Sequence, residues 1–385
     1  TKGERKIMKL LHMADLHLGK TVNGMNFIED QRHVLTQVLE LMEKEPVDGL
    51  LLAGDIYDRS IPPAEAVTLF DWFLTGTAKL MVPVFLVAGN HDSGERLEFG
   101  QKLFGQQNIY MEGTLREEFP AVRLEDEYGP VCLHLLPYFK PAEARALFPE
   151  DEIRTHEDAM RSVLARHPVD RTERNVLVTH QFVTGTEPVR QSDSELLLSV
   201  GGTEQISYTI FEDYDYTALG HIHGPQKAGR ETVRYSGSLL KYSFSEEFHK
   251  KSVTLVELKE KGNITLTVYP LRPRHDMRRI KGKLGDLLDP QVVEAADCED
   301  YISAVLTDDE ELADPMEKLR ASYPNIMELN LEKKQRSGGG EVYADVREKT
   351  PLELGESFLK LTCGEAEEKR MEFLKKLLEE GGLDS

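Results

Sequence analysis

The sequence predicts an α/β fold with a smaller α+β unit behind it. Over the first 170 residues, short runs of apolar and often β-branched residues alternate with stretches whose apolar residues recur at helical spacing. The apolar runs are continuous over a few residues, which is typical of parallel strands that are buried on both faces. Since strand, helix and strand follow one another, we expect right-handed crossovers and a largely parallel sheet.

The elements of the first domain are predicted in a regular order. Helices at 29–45 and 62–79 separate the first strands, and a third helical stretch near 152–167 precedes the later ones. The predicted strands lie at 7–13, 49–53, 83–88, 175–179 and 216–219, followed by a β-rich closing section at 233–244, 252–257 and 264–269. We therefore predict a catalytic domain that spans residues 1–271.

A compact α+β unit is predicted at residues 276–333, after the catalytic domain. Its expected order is a helix at 286–295, a strand at 301–306, a helix from Pro315 with Asp314 as its N-cap, and a strand at 326–332.

The C-terminal part of the chain is predicted to be a tethered helical pair. Residues 334–349 contain a Ser-Gly-Gly-Gly run among charges, which is typical of a flexible linker. Residues 350–385 are predicted to form two short amphipathic helices that cannot bury their own apolar stripe. We interpret them as an element that docks on a partner; the alternative is a pair folded back on the catalytic domain.

The charge of the chain bears on the class of substrate. Its 47 basic and 68 acidic residues give a net charge of −21, which argues against a nucleic-acid binder because such domains are usually basic. The charge is uneven, however, since residues 272–283 hold six basic residues and one acidic residue. A locally basic groove on an acidic protein is therefore compatible with the sequence. Bound cations would also attract phosphate.

Cysteine usage and hydropathy indicate the compartment. The three cysteines, Cys132, Cys298 and Cys363, are far apart and form no CxxC motif, which argues against a disulfide framework and a thiolate metal site. No apolar run approaches the roughly 20 residues that cross a bilayer. We expect a cytoplasmic protein without a membrane segment.

Five polar motifs carry the chemistry, and each follows an apolar run. They are Asp15-Leu16-His17, Gly54-Asp55-Ile56-Tyr57-Asp58, Gly89-Asn90-His91-Asp92, Thr179-His180 and Gly220-His221-Ile222-His223. Residues i and i+2 of an extended segment point the same way, and parallel strands bring their carboxyl ends to one edge. The motifs therefore predict one site with oxygen and imidazole ligands, which suits Mn²⁺, Fe²⁺, Zn²⁺ or Mg²⁺. Two ions about 3.5–4 Å apart need a shared anionic ligand, and Asp55 is the candidate.

Taken together, these motifs resemble the signature of the calcineurin-like metallophosphoesterase superfamily over about residues 8–225. Further segments are similar to the bacterial SbcD family of nuclease subunits; they are residues 13–20, 196–203, 218–226, 235–248 and 250–253. The resemblance implies a metallophosphoesterase β-sandwich flanked by helices, a small α+β capping domain and C-terminal helices that dock the partner. It also implies two metal ions, with Mn²⁺ expected, one held by Asp15, His17, Asp55 and His223 and the other by Asp55, Asn90, His180 and His221.

The same resemblance implies a substrate and partners. The family acts as a 3′-to-5′ exonuclease on duplex DNA ends and as an endonuclease on single strands and hairpins, in DNA repair, replication and recombination. It works as a homodimer within a heterotetramer with an SbcC-like SMC-type ATPase, which implies a nucleoid-associated protein.

His91 is the candidate for catalysis beside the metals, either steadying charge on phosphorus or protonating the leaving oxygen. Asp58 is a candidate for orienting His91, as the resemblance implies. Candidates for phosphate contact are Lys20, Arg59, Arg96 and Lys241. Two alternatives stay open: a phosphoesterase for small molecules or phosphoproteins, which the acidic charge favours, and a scaffold that mainly binds the ATPase.

Overall fold

The computed structural model describes residues 7–332 apart from 186, 188, 196–203 and 311, together with Met371 and Leu374. The strands are β1 (Met8–Met13), β2 (Thr21–Val22), β3 (Met25–Asn26), β4 (Gly49–Ala53), β5 (Val84–Val87), β6 (Ile109–Glu112), β7 (Ala121–Asp126), β8 (Gly129–Leu136), β9 (Arg174–His180), β10 (Val183–Thr184), β11 (Ile206–Ser207), β12 (Tyr216–Gly220), β13 (Gln226–Ala228), β14 (Arg230–Tyr235), β15 (Ser252–Leu258), β16 (Ile264–Pro270), β17 (Met277–Gly282), β18 (Tyr301–Leu306) and β19 (Ile326–Leu331). The helices are α1 (Ile28–Lys44), α2 (Ala64–Lys79), α3 (Gly94–Leu97), α4 (Gln101–Gly105), α5 (Pro141–Leu147), α6 (His156–Ala165), α7 (Leu284–Leu287), α8 (Pro290–Val293) and α9 (Pro315–Ser322).

Two six-stranded mixed sheets form the centre of the fold. The first has the order β16-β15-β1-β4-β5-β6, and the second has the order β13-β14-β12-β9-β8-β7. In each sheet the inner strands run parallel, and antiparallel strands extend it: β15 and β16 in the first sheet, β7 and β13 in the second.

The sheets pack face to face, and helices cover their outer faces. Leu51 of β4 and Val176 of β9 belong to one apolar core that lies between the sheets. A second core joins the outer face of the first sheet to α1 and α2, and a third joins the second sheet to α5 and α6. Because each central strand is buried on both faces, its sequence is continuously apolar. The predicted β-sandwich flanked by helices is confirmed.

One buried polar pair joins the two sheets. His12 of β1 lies with its Nδ1 atom 2.9 Å from the hydroxyl of Tyr216 on β12. Burial lowers the pKa of His12 to about 3, so its imidazole is neutral in the core.

A three-stranded parallel sheet, β17-β18-β19, forms the α+β unit with α7, α8 and α9. Its own apolar core includes Ile302, Leu306 and Leu319. It also contacts the larger domain, because the Tyr301 hydroxyl donates to Asp30 at 2.9 Å and the Tyr301 ring stacks on Phe27.

Three local predictions differ from the structure. The strand expected at 233–244 ends at Tyr235, and a 3₁₀ turn follows at Phe244–Glu246. The helix expected at 286–295 is two short helices, because Asp289 caps a new helix that begins at Pro290. Asp314 precedes α9 but makes no side-chain capping bond, since it lies in the left-handed region at φ 46°.

The described residues up to Leu331 form one compact unit. The predicted linker at 334–349 lies outside the described residues, and so does nearly all of the predicted helical pair at 350–385. Cys132 and Cys298 are free thiols, and Cys363 also lies outside the described residues. Among the residues described, none of the helices combines the length and the apolar composition that a bilayer crossing needs.

Candidate metal centre

The predicted ligands come together at the carboxyl ends of five strands. β1, β4 and β5 deliver them from the first sheet, and β9 and β12 deliver them from the second. Backbone hydrogen bonds join the loops, with the Asp15 amide donating to the Gly54 carbonyl at 3.1 Å and the His17 amide donating to the Asp55 carbonyl at 2.9 Å. The site therefore lies where the carboxyl ends of both sheets meet, rather than at the edge of one sheet.

Four of the predicted ligands have a strained backbone. Asp15, His17, Asp55 and His221 have positive φ angles of 53°, 44°, 49° and 102°. Residues other than glycine rarely adopt such angles, and where they do the strain is usually kept for function. Here the positive φ angles turn the chain at the ends of the strands. The turns direct the side chains of these residues into one common space.

Close approach explains two of the motif glycines. A Cβ atom on Gly89 would lie 2.1 Å from Oδ1 of Asp55, and a Cβ atom on Gly54 would lie 2.3 Å from the His180 ring. Only glycine allows the loops to pack this tightly against the ligand side chains.

The Asp55 carboxylate lies between two sets of predicted ligands. On one side, Nε2 of His17 lies 3.0 Å from Nε2 of His223. On the other side, Oδ1 of Asn90 lies 3.0 Å from both Nε2 of His180 and Nδ1 of His221. Oδ2 of Asp55 lies between them, 3.7 Å from Nε2 of His17 and 3.4 Å from Nε2 of His180.

The chemistry of this donor set fits divalent cations. Three groups of side chains lie close enough together to hold an ion: Asp15, His17 and His223; Asp15, Asp55 and His180; and His17, Asp58 and His91. Oδ2 of Asp15 and Nδ1 of His17 are buried without a hydrogen-bond partner. An orphaned buried carboxylate oxygen is costly unless a cation binds it.

Burial and neighbouring charges together set the protonation of the site. Burial raises the pKa of Asp15 well above its usual range and lowers the pKa of His221 to about 3. Burial acts to lower the pKa of His180, but the Asp55 carboxylate raises it to about 9. The negative potential that holds a proton on His180 would equally hold a metal ion.

His91 and Asp58 lie beside this cage, but they interact differently from the expectation. Nδ1 of His91 donates to the backbone carbonyl of Asp58 at 2.9 Å, whereas the Asp58 carboxylate accepts from Nζ of Lys20 at 2.7 Å. The contact that fixes the His91 ring is therefore made by the main chain. The His91 ring packs edge-on against His17, with 4.8 Å between ring centroids.

The four candidates for phosphate contact fall into two classes. Lys20 is paired with Asp58 at 2.7 Å. Lys241 is paired with Asp276 at 2.7 Å and donates to the carbonyls of Glu247 and Met277, so its ammonium group has a structural role. Arg59 and Arg96 are exposed.

Asp92 joins two of the ligand loops, which the sequence did not indicate. Its carboxylate accepts from the amides of Ile56, Tyr57 and Gly89 at 2.9–3.1 Å. It therefore ties the loop that carries Asp55 to the loop that carries Asn90.

A further set of residues behind His223 was also missed. Glu195 accepts from the His223 amide at 2.8 Å, and Ser194, Glu246 and Lys251 contact the same residue. The available signal was that Glu246 and Lys251 lie within residues 235–248 and 250–253, two segments that carry the family resemblance.

Comparison with known proteins identifies the family. The calcineurin-like phosphoesterase family matches residues 8–225, and the family described as type 5 capsule protein repressor C-terminal domain matches residues 273–362. The chain is 33% identical over 326 residues to the SbcD subunit of the SbcCD nuclease of Staphylococcus epidermidis, which covers 84% of this chain and 85% of that protein.

Solved structures give distant matches. A dimetal phosphatase from Danio rerio has a TM-score of 0.39 at 11% identity, covering 69% of this chain and 96% of that chain. The protein TT1561 of Thermus thermophilus has a TM-score of 0.39 at 12% identity, covering 68% of this chain and 99% of that chain.

The first family match spans more than half of the chain, and the staphylococcal relative covers most of it. Membership and the candidate ion-binding groups together support the use of divalent metal. The chain belongs to the calcineurin-like phosphoesterase family, as a homologue of the SbcD nuclease subunit.

Proposed function

We propose that this chain is the nuclease subunit of an SbcCD-like complex and hydrolyses phosphodiester bonds in DNA with two divalent ions, Mn²⁺ being the expected metal. The observation that carries the proposal is the position of the Asp55 carboxylate, whose Oδ2 atom lies within 3.7 Å of a ligand nitrogen on each side. A carboxylate shared in this way is what a pair of adjacent ions requires.

The ligands divide between the two ions as follows. One ion would be held by Asp15, His17, Asp55 and His223, and the other by Asp55, Asn90, His180 and His221. When bound, the ions would supply an activated water and a clamp for phosphate oxygens.

His91 would act on the leaving oxygen. Because the Asp58 carbonyl can only accept, Nδ1 of His91 carries a proton, and Nε2 is the atom left to exchange a proton with substrate. An imidazole held in this way can protonate the departing sugar oxygen or steady the charge on phosphorus. Asp58 is the positioning residue, through its main-chain carbonyl.

Substrate and partners follow from homology with the SbcCD subunit. The proposed substrates are duplex ends, attacked from 3′ to 5′, and single strands and hairpins, in DNA repair, replication and recombination. Arg59 and Arg96 are the exposed candidates for phosphate contact. The proposed location is the cytoplasm, in association with the nucleoid.

The proposed organisation has four parts. Residues 1–271 form the nuclease domain and 276–333 the capping domain, while 334–349 tether the helices of 350–385 to an SbcC-like ATPase. The three-stranded sheet and separate core of the α+β unit support the first boundary.

A homodimer is supported by an apolar surface around α2, α3 and α4. Val67, Phe99 and Leu103 are exposed by 45%, 84% and 70% there, next to a groove of about 180 Å³. Apolar patches of this kind usually mark protein interfaces. Light scattering of the purified chain at micromolar concentration tests this, since a monomer would contradict the dimer.

The experiment that tests the activity uses end-labelled linear duplex DNA and a hairpin with Mn²⁺. We expect the wild type to release nucleotides and open the hairpin, and Asp15→Ala and His221→Ala to abolish both activities. His33→Ala is the matched control for His221→Ala, because His33 is an exposed histidine on α1 outside the cage.

Two outcomes would overturn the proposal. Turnover of a chromogenic phosphate monoester without any cleavage of DNA would favour the small-molecule phosphoesterase that the net charge of −21 suggests. Full DNA repair and capture of the ATPase by a His91→Gln variant would instead assign the chain a scaffold role.

A further inference from the structure

A buried charged cluster lies directly behind His223. Glu246 and Lys251 are 0% and 6% exposed, and their side chains form an ion pair. Lys251 also donates to the His223 carbonyl at 2.9 Å and to the Ser238 hydroxyl at 2.8 Å. A buried ion pair is expensive unless further hydrogen bonds satisfy it, so its place beside the cage calls for a reason.

The cluster contacts the imidazole as well as the backbone of His223. Oε1 of Glu246 lies 3.3 Å from Nδ1 of His223, and Oγ of Ser194 lies 2.8 Å from the same nitrogen. The Ser194 hydroxyl also hydrogen bonds to Oε1 of Glu246.

These contacts fix the tautomer of His223. An ionised Glu246 can only accept, so the single hydroxyl proton of Ser194 goes to Glu246, and Nδ1 of His223 must be the donor. The lone pair is then left on Nε2, the atom that faces Nε2 of His17 at 3.0 Å. The ring is therefore presented with its free nitrogen pointing into the cage.

The other half of the cage has a different support. Nδ1 of His180 donates to the neutral backbone carbonyl of Ala53 at 2.8 Å. Nδ1 of His221 faces Asn90 inside the cage. A carboxylate behind a metal-binding imidazole makes it a stronger ligand than a carbonyl does. Two ions bound at these positions would thus be supported unequally.

We propose that Glu246, paired with Lys251, is a positioning residue that fixes the His223 imidazole and selectively strengthens the binding of the ion on the His17–His223 side. This inference rests on the proposed function, because it requires the two-ion site. It predicts that the two ions bind with different affinities and that only one of them depends on Glu246.

The test is a Mn²⁺ titration of the metal-free full chain, followed by electron paramagnetic resonance. Free ions are counted from their six-line signal, and the second ion is detected by the spin-coupled signal of an adjacent pair. We expect Glu246→Gln to lower the affinity for one Mn²⁺ ion by ten- to a hundredfold and to leave the affinity for the other ion unchanged. Glu112→Gln is the matched control, because it makes the same change at a buried carboxylate of β6, outside the cage.

A second variant separates positioning from folding. Glu246→Gln with Lys251→Met removes both buried charges, so neither is left unpaired. We expect this double variant to melt close to the wild type and still to bind one ion weakly. Wild-type affinity for both ions in either variant would overturn the positioning role, and so would an equal loss of both ions.

Failure of the positioning role is distinguishable from failure of the proposed function. If the wild type binds two ions and cleaves DNA while Glu246→Gln is unchanged, only the positioning role is wrong. If the wild type binds no Mn²⁺, both the two-ion site and the role of Glu246 are wrong.

Discussion

Replacing His91 by glutamine separates proton transfer from metal binding. The His91 ring contacts the main-chain carbonyl of Asp58 and the edge of His17, but it belongs to neither of the two proposed ligand sets. We therefore expect His91→Gln to bind two Mn²⁺ ions as the wild type does. Glutamine can hydrogen bond to the same carbonyl but cannot give up a proton, so the general acid is lost.

The magnitude follows from that loss. A positioned general acid contributes about 10²–10⁴ to a rate, which is about 2.7–5.5 kcal/mol of the barrier. We expect the kcat for DNA cleavage to fall by about this factor. A p-nitrophenyl phosphodiester has a leaving group that needs no proton, so its kcat should fall by less than about tenfold.

The assay measures kcat on both substrates at saturating Mn²⁺, beside the exposed control His33→Gln. An equal loss on DNA and on the p-nitrophenyl ester would refute proton transfer and would assign His91 to charge stabilisation. A loss of bound Mn²⁺ in His91→Gln would refute the reasoning altogether.

Three further predictions concern stability and access to the cage. Arg174 is buried and donates to Asp126 and to three backbone carbonyls. Arg174→Met should therefore lower the free energy of unfolding, measured by urea denaturation, by about 3–5 kcal/mol. A loss below about 1 kcal/mol would show that the Arg174–Asp126 pair contributes little. Burial raises the pKa of Glu112 from 4.5 to about 7, so its stabilising contribution is complete below pH 4.5 and is lost as the pH rises through 7. Glu112→Gln should thus match the wild type at low pH and exceed its stability at pH 8 by about 1–2 kcal/mol after allowance for solvent screening, whereas a difference independent of pH would contradict this. Gly89→Ala should lower the Mn²⁺ content of the protein, because its Cβ atom would lie 2.1 Å from the Asp55 carboxylate. Gly105→Ala is the control, because the space around Gly105 is open, and it should leave the Mn²⁺ content unchanged. Equal Mn²⁺ content in the two variants would exclude this close packing.

The sequence predicted the parts of the fold that local pattern controls. Strands β1, β4 and β5 and helices α1 and α2 lie within about two residues of their predicted positions, because each has a continuous apolar run or a clear apolar face. The hairpin of β7 and β8 was not predicted, although β8 is well buried. Which strands pair is set by contacts between distant residues, and no local pattern records them.

The candidate site shows the same division. All seven predicted ligands lie close together, because parallel strands bring the residues at their carboxyl ends to the same edge of the sheet. The residues behind His223 were missed because Glu246 and Lys251 have no spacing relation to the metal motifs. Only the folded chain brings Glu246 within 3.3 Å of the His223 ring.

The position of Asp55 between His17 and His180 agrees with a bridging role, which stays a prediction, whereas the contacts of Asp58 differ from those expected. A carboxylate three residues after Asp55 was expected to reach His91, but Lys20 binds that carboxylate instead. The choice between a side-chain and a main-chain acceptor depends on the turn after β4, which short motifs do not specify.

The central claim is that two adjacent divalent ions are held on either side of Asp55. Anomalous diffraction at the manganese edge, from crystals of the full chain grown with Mn²⁺, tests it most directly. We predict two peaks about 3.5–4 Å apart, one beside His17 and His223 and the other beside His180 and His221. The absence of peaks at this site, or a single ion that does not touch Asp55, would contradict the claim.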